Sequence, residues 1–365
     1  MNLRVGIVGL PNVGKSTLFN ALTKNQVAAE NYPFCTIDPS VGIVPVPDER
    51  LKTLADISAS AETIPAVIEF VDIAGLVKGA SAGEGLGNKF LSHIREVDMI
   101  AEVVRLFEDS DITHVDGVVD PLSDIGVIDL ELIMADAETV NKRLQAVTKD
   151  ARFNDKEAVL MQSLLERLLP HLAGGQPARS LDLSEAEHNL IKELHLLTMK
   201  PVLYVLNKKQ DAQNLDENKD ERWTKLLDFF TANGSDYVVV DAGVEEELKE
   251  LPEADKIEFR REYNVLDSGV VSLIKQCYHT LGLISYFTTG SKETRAWTIK
   301  RGSKGPEAGA AIHTDFRDNY IRAQVVSFAD LASVGSIAGA REAGKLRIEG
   351  KEYVVSDGDV IEFMI

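Results

Sequence analysis

The chain begins with an apolar, β-branched run, Leu3-Arg4-Val5-Gly6-Ile7-Val8, which stops at Gly9. Such a run, bounded by glycine, predicts a buried strand that feeds a loop. Residues 15–24 then read as a helix. Strand-like runs recur at 41–46, 66–71, 99–104, 201–206 and 237–240, with helical segments between most of them. This alternation predicts an α/β sheet covered on both faces.

Between residues 125 and 199 the rhythm stops, and no strand is expected there. Val140, Leu144, Val147 and Ala151 follow a 4-3-4 spacing, the seam of a coiled coil. Leu160, Leu164, Leu165, Leu168 and Leu169 suggest a returning helix, closed by Pro170 and Gly174-Gly175. The reading is an antiparallel helical hairpin inserted into the α/β unit. A helix is expected over 268–283. Short β-like runs follow at 297–299, 320–326, 346–348, 353–355 and 360–365, with turns at Gly350-Lys351 and Asp357-Gly358-Asp359. They predict a small strand-rich C-terminal domain.

Composition narrows the class. A chain of 365 residues is too long for one core, so two or three domains are expected. With 44% hydrophobic and 27% charged residues, it reads as an ordinary globular protein. No apolar run is long enough to cross a membrane, and the first residues show no cleavable signal pattern. Two distant cysteines, Cys35 and Cys277, fit a reducing cytoplasm. The net charge of −19 resists non-specific contact with nucleic acid. Residues 281–365 carry 11 basic and 11 acidic side chains, so the acidic excess lies before them.

Gly9-Leu-Pro-Asn-Val-Gly14-Lys15-Ser16 completes the eight-residue phosphate-loop pattern, between a predicted strand and helix. Its glycines let the backbone wrap closely, so that the N–H groups of Asn12, Val13, Gly14, Lys15, Ser16 and Thr17 face phosphate oxygens. The following helix points its positive end at them. Lys15 offers an ammonium to the β- and γ-phosphates, and the Ser16 hydroxyl suits Mg²⁺. Asp72, at the end of a strand, is expected to reach Mg²⁺ through water, with Gly75 offering its N–H to the γ-phosphate. Thr36 is a candidate hydroxyl for the same ion in a first switch loop.

Asn207-Lys208-Lys209-Gln210 follows the apolar run 201–206, where GTPases carry Asn-Lys-x-Asp to read the base. An acid there accepts two hydrogen bonds from guanine. Gln210 is neutral and carries NH₂ donors, so guanine selectivity is expected to be poor and adenine at least as suitable. Asn207 retains the capacity to bond the base, with Lys208 beside it.

The motifs 9–23, 31–37, 70–80, 83–88, 295–298, 312–316 and 349–360 together resemble the YchF family of Obg-related ATPases, along the whole chain. The resemblance implies an α/β P-loop NTPase of three parts. These are an Obg-type G domain (1–124 and 200–280), an inserted α-helical coiled-coil domain (125–199) and a C-terminal β-grasp TGS domain (281–365). It also implies ATP preferred over GTP, dependence on Mg²⁺ and binding to ribosomes, with the large subunit as the expected side. Gln210 departs from the glutamate usual in the family, and Asp241-Ala242 stands where a base-reading Ser-Ala is expected.

Leu76 occupies the position where many GTPases orient water with a glutamine, and it cannot polarise water. The resemblance points to His114 as the replacement. Phosphate loops with an asparagine like Asn12 hold K⁺ against the phosphates, which makes K⁺ a second expected cation. Four glycines in 79–87 suit a moving loop. Lys142, Lys149, Arg152 and Lys156 form one basic patch, and Lys292, Arg295, Lys300, Arg301 and Lys304 another. With the resemblance, both are candidate contacts for ribosomal RNA. The expected protein is a cytoplasmic monomer. A GTPase of the same fold and a nucleotide-gated scaffold with incidental hydrolysis are the competing readings.

Overall fold

A computed structural model describes residues 3–23, 40–73, 86–109, 118–151, 155–248, 251–252, 255–256, 258–259 and 268–365. The first run forms β1 (Arg4–Val8), which enters α1 (Lys15–Thr23) through a tight loop. Then come β2 (Val41–Pro45), α2 (Arg50–Ser58), β3 (Glu62–Ile64), β4 (Val67–Asp72), α3 (Leu86–Glu96) and β5 (Met99–Arg105). A short pair, β6 (Phe107–Glu108) and β8 (Gln213–Asn214), flanks β7 (Val202–Asn207), and β9 (Asp236–Val240) follows.

The central sheet has the order β2-β4-β1-β5-β7-β9. Only β2 runs antiparallel to its neighbour. Side chains alternate across a strand, so each face builds its own core. Val103, Leu203 and Val205 join the large core with residues of α1. Val104, Tyr204 and Leu206 join a second core with Ile125, Leu226 and Phe230. The predicted α/β sheet, covered on both faces, is the architecture found.

The helical hairpin is α4 (Pro121–Ala151) and α5 (Lys156–Ala173). Val140 and Val147 are buried against Leu164, Leu165 and Leu168, which is the expected seam. Asp155 starts α5 by accepting hydrogen bonds from the Glu157 and Ala158 amides. Three details differ from the sequence reading. Leu160 is 61% exposed and takes no part in the seam. Pro170 does not end α5; it sits in the last turns, where few ladder bonds remain to lose, and buried Leu168 and Leu172 hold the helix on either side. Finally, α4 begins before residue 125, and its Ile128 and Leu132 pack into the large core of the sheet. One helix therefore serves both the sheet and the hairpin.

After α5 come a short helix, α6 (Glu185–Ile191), and a tight turn at Leu197–Met199 that returns the chain to β7. Buried Asp136 of α4 fixes that return. Its carboxylate accepts from the Leu197 amide (2.8 Å), the Thr198 amide (2.8 Å) and the Thr198 hydroxyl (2.6 Å). The chain continues through α7 (Leu215–Asn218), α8 (Glu221–Asn233) and α9 (Ala242–Leu248) to α10 (Gly269–Thr280), within the helix predicted over 268–283.

The C-terminal part forms a second six-stranded sheet. It contains β10 (Leu283–Thr289), β11 (Glu293–Lys300), β12 (Arg322–Ser327), β13 (Arg347–Glu349) and β14 (Asp359–Met364), in the order β13-β12-β14-β10-β11-β3. The run 353–355 makes no strand, only an isolated bridge from Val354 to Lys304. A helix, α11 (Gly305–Ile312), covers one face through Ala308. The outer strand, β3, comes from the N-terminal segment and pairs in parallel with β11. The sheet therefore extends beyond 281–365. Arg50 of α2 strengthens the join: it bonds Asp48 and Asp357, both at 2.7 Å, and lies over the Phe287 ring.

Hydrogen bonds to a buried charge are each worth about 1.5–3 kcal/mol. Asp136→Ala is therefore expected to lower unfolding stability by about 3 kcal/mol, read from the urea midpoint. A midpoint equal to that of the parent chain would remove Asp136 as the pin of this return.

Candidate functional site

The site forms where β1, β4 and β7 end together at one edge of the sheet. The register sets Ile7 beside Asp72, and Asn207 closes β7 beside Arg105 and Val240. Such an edge, outside the carboxyl ends of parallel strands, is where open α/β sheets bind ligands.

Residues 9–14 make the turn from β1 to α1. A side chain at Gly9 would meet the Val103 carbonyl at 2.6 Å, and one at Gly14 would meet Asn207 Nδ2 at 2.2 Å. Gly14 also has φ +97°, which favours glycine. Asn12 lies in the left-handed region at φ 63°, where a short polar side chain is tolerated. The turn is thus held in a conformation that brings successive amides round toward one point, ahead of the positive end of α1. Val13 is buried, Ser16 is exposed in the first turn of α1, and Thr17 is half-buried beside it.

The Lys15 ammonium donates to the Leu10 carbonyl at 2.7 Å. Burial pulls its pKa down, and the negative charge of Asp72 opposes that shift. Burial likewise pushes the Asp72 carboxyl up, and Lys15 opposes that. An ammonium and a carboxylate thus face each other in a partly desolvated space beside the loop.

Asn207 is 5% exposed. Its Nδ2 donates to the Val13 carbonyl at 2.9 Å, and its Oδ1 accepts from the Ala242 amide at 3.0 Å. The amide side chain therefore ties the phosphate loop to the segment after β9. The Lys208 amide donates to the Val240 carbonyl, and its ammonium lies 3.5 Å from Glu217. Gln210 is half-buried, and its backbone N–H donates to the Asp241 carboxylate. Asp241 also accepts from the Val244 amide at 3.0 Å, capping α9. Burial raises the Asp241 carboxyl despite these bonds.

Lys15, Ser16, Asp72 and Asn207 therefore gather at one edge with Asn12, Val13, Gly14 and Thr17, and Lys208 and Gln210 adjoin them. Thr36, Gly75 and His114 lie outside the described residues, as do Leu76 and Arg152. Two features were missed from sequence. The bridging role of Asn207 needs two partners far away in the chain and leaves no local signal. Asp241 does leave one, an aspartate directly before a helix.

Of the basic positions, Lys142 pairs with Glu138 at 2.6 Å, while Lys149 and Lys156 are exposed. In the C-terminal part Lys304 pairs with Glu352, and Arg295 lies 4.2 Å above the Trp297 ring. Lys292, Lys300 and Arg301 are exposed.

Comparison with known proteins agrees with this geometry. Residues 4–149 match the family model described as 50S ribosome-binding GTPase, and residues 283–365 match YchF-GTPase_C, described as a protein of unknown function. The chain is 52% identical to the ribosome-binding ATPase YchF of Bacillus subtilis, across 100% of this chain and 99% of that protein. It is 47% identical to the ribosome-binding ATPase YchF of Escherichia coli O157:H7, with the same coverage. The solved structure of the Schizosaccharomyces pombe YchF GTPase superposes with a TM-score of 0.88 at 39% identity, covering 100% of this chain and 98% of that one. With a phosphate loop of this shape and full-length identity of this order, the chain belongs to the YchF family of P-loop nucleotide hydrolases.

Proposed function

We propose that this protein is a ribosome-associated P-loop ATPase that cleaves ATP to ADP and phosphate. The observation that carries the proposal is the Gly9–Ser16 loop, with Lys15 facing Asp72 across a partly desolvated space. Its relatives in Bacillus subtilis and Escherichia coli are ribosome-binding ATPases, and they suggest the partner and the nucleotide.

The residues fit Mg²⁺. A serine hydroxyl and a carboxylate are hard oxygen donors, and the burial cost of an ionised Asp72 falls when a cation stands beside it. Ser16 would hold the ion directly and Asp72 through its water shell, with Thr36 as a third donor. When bound, the ion neutralises phosphate charge. The rest falls to the chain. Amides of residues 12–17 orient the triphosphate, and Lys15 balances charge that develops on the γ-phosphoryl group as water attacks in line. Gly75 would hold the γ-phosphate by its N–H and His114 would accept a hydrogen bond from the attacking water. K⁺ beside Asn12 would take the place of an arginine finger.

The proposed division is a G domain (1–124, 200–280), a helical arm (125–199) and a β-grasp TGS domain (281–365), the last completed by β3. The arm lysines and the cluster from Lys292 to Lys304 are the proposed contacts with ribosomal RNA of the large subunit. We take the working form to be a cytoplasmic monomer. Among the described residues, no helix is long and apolar enough to cross a membrane.

A second reading, a GTPase, is favoured by the name of the fission-yeast relative. Displacement of a labelled nucleotide by ATP or GTP separates the two, and ATP is expected to compete better. Gln210→Asp is expected to raise GTP affinity by about tenfold, since an acid accepts both guanine donors. Unchanged GTP affinity would separate Gln210 from base reading.

Lys15→Ala and Gly14→Ala are each expected to weaken ATP binding by at least about tenfold. The first removes the ammonium; the second forces a methyl group into Asn207. Sedimentation with ribosomes, run with and without a non-hydrolysable ATP analogue, tests the partner. Association that ignores both nucleotide and salt would remove the ribosome-cycling reading.

A further inference from the structure

An acid joins the two base-side segments at the position where the resemblance expects a serine. Residues 207–210 leave β7, and residues 240–244 lead from β9 into α9. Three hydrogen bonds link them. The Ala242 amide donates to Asn207 Oδ1 at 3.0 Å, the Lys208 amide to the Val240 carbonyl at 2.9 Å, and the Gln210 amide to the Asp241 carboxylate. Asp241 also accepts from the Gly243 and Val244 amides, so one carboxylate serves three main-chain donors. On the other side, buried Asn214 clasps Lys209: its Oδ1 accepts from the Lys209 amide at 3.0 Å and its Nδ2 donates to the Lys209 carbonyl at 2.9 Å. The backbone at residue 210 is therefore held from both sides.

The neighbouring side chains are committed elsewhere. Asn207 bonds Val13 and Ala242, Lys208 faces Glu217, and Lys209 faces Asp109. Gln210 is half-buried, and among the described residues its carboxamide has no partner. A carboxamide that turns freely serves either purine, since it presents an acceptor one way round and donors the other. Discrimination needs one orientation. The Asp241 charge supplies it, because it attracts Nε2 and leaves Oε1 facing away. An acceptor so placed suits the 6-amino group of adenine and opposes the 6-carbonyl of guanine. The Ala242 amide, a donor that a 6-carbonyl would use, is already taken by Asn207.

We propose that Asp241 is a positioning residue for base selection: it holds and orients Gln210 so that Gln210 Oε1 accepts a hydrogen bond from the adenine 6-amino group. Asp241 acts through Gln210 and not on the base, since its oxygens already accept from three amides. The proposal rests on the nucleotide-hydrolase reading of this edge. It extends that reading from Gln210 alone to a pair of residues in separate loops, and it gives the acid at position 241 a task that a serine there, with a single shorter-reaching oxygen, does not perform.

The test measures ATP and GTP affinities of the full chain by displacement of a labelled nucleotide, with Asp241→Ser, Gln210→Ala and the double variant. Serine caps a helix about as well as aspartate, so α9 and the thermal melt are expected to hold while the bond to Gln210 is lost. The parent chain should prefer ATP, and Asp241→Ser should lower the ATP-to-GTP affinity ratio by about tenfold, the scale of one hydrogen bond. Gln210→Ala should lower it similarly, and adding Asp241→Ser should then change it no further. A ratio that Asp241→Ser leaves unchanged, or lowers equally in the Gln210→Ala background, would overturn the proposal. So would an equal loss of both nucleotides, which marks Asp241 as a cap of α9 and nothing more. A parent chain that binds ATP and GTP alike overturns it too, yet leaves the hydrolase reading standing; a chain that binds neither removes both.

Discussion

One buried side-chain amide holds the nucleotide edge together. Asn207 donates to Val13 and accepts from Ala242, so three loops far apart in sequence share one anchor. A buried amide left unpaired costs about 1–3 kcal/mol, so each bond to Asn207 is also a penalty avoided. The same side chain fixes the identity of residue 14. No Cβ fits between the loop and Nδ2, and the backbone there has positive φ. Phosphate cradle and base-side segment are therefore set by one contact, and the sheet beneath makes that contact rigid.

Lys15 and Asp72 add an electrostatic constraint. Each is shifted by burial toward its neutral form, and each is returned toward its charged form by the other. Alone, either group would be costly in this position. Together they leave a space in which phosphate can meet the ammonium and a hard cation can meet the carboxylate. The Lys15 ammonium also rests on the Leu10 carbonyl, a neutral acceptor that an anion displaces readily.

Much of this was legible in the chain. The six runs read as strands are the six strands of the central sheet, because short apolar, β-branched stretches alternating with helical segments have few other solutions. The phosphate loop was legible because its chemistry requires residue types at fixed spacing. The helical hairpin was legible from its seam, although Leu160 fell outside it and Pro170 inside the helix. Residues 46–66 were not legible. Their short polar strand, Glu-Thr-Ile, has no pattern of its own and exists because β11 offers it an edge. The bridge through Asn207 was hidden for the same reason: its partners lie 194 and 35 residues away.

That hidden segment ties the two halves of the molecule together. It leaves the central sheet after β2 and returns as β4, which ends at Asp72. Between those points it adds β3 to the C-terminal sheet. Ser60 donates to the Gly290 carbonyl at 2.7 Å, the amides of Ala61 and Glu62 donate to Ser291 and Lys292, and Arg50 reaches Asp357. The connection from the proposed first-switch threonine to Asp72 therefore runs through the C-terminal sheet. β2 and β4 are also paired directly over five residues, so the anchor hangs from two adjacent strands of the central sheet. Nucleotide site and C-terminal sheet are therefore connected by paired strands and short polar contacts.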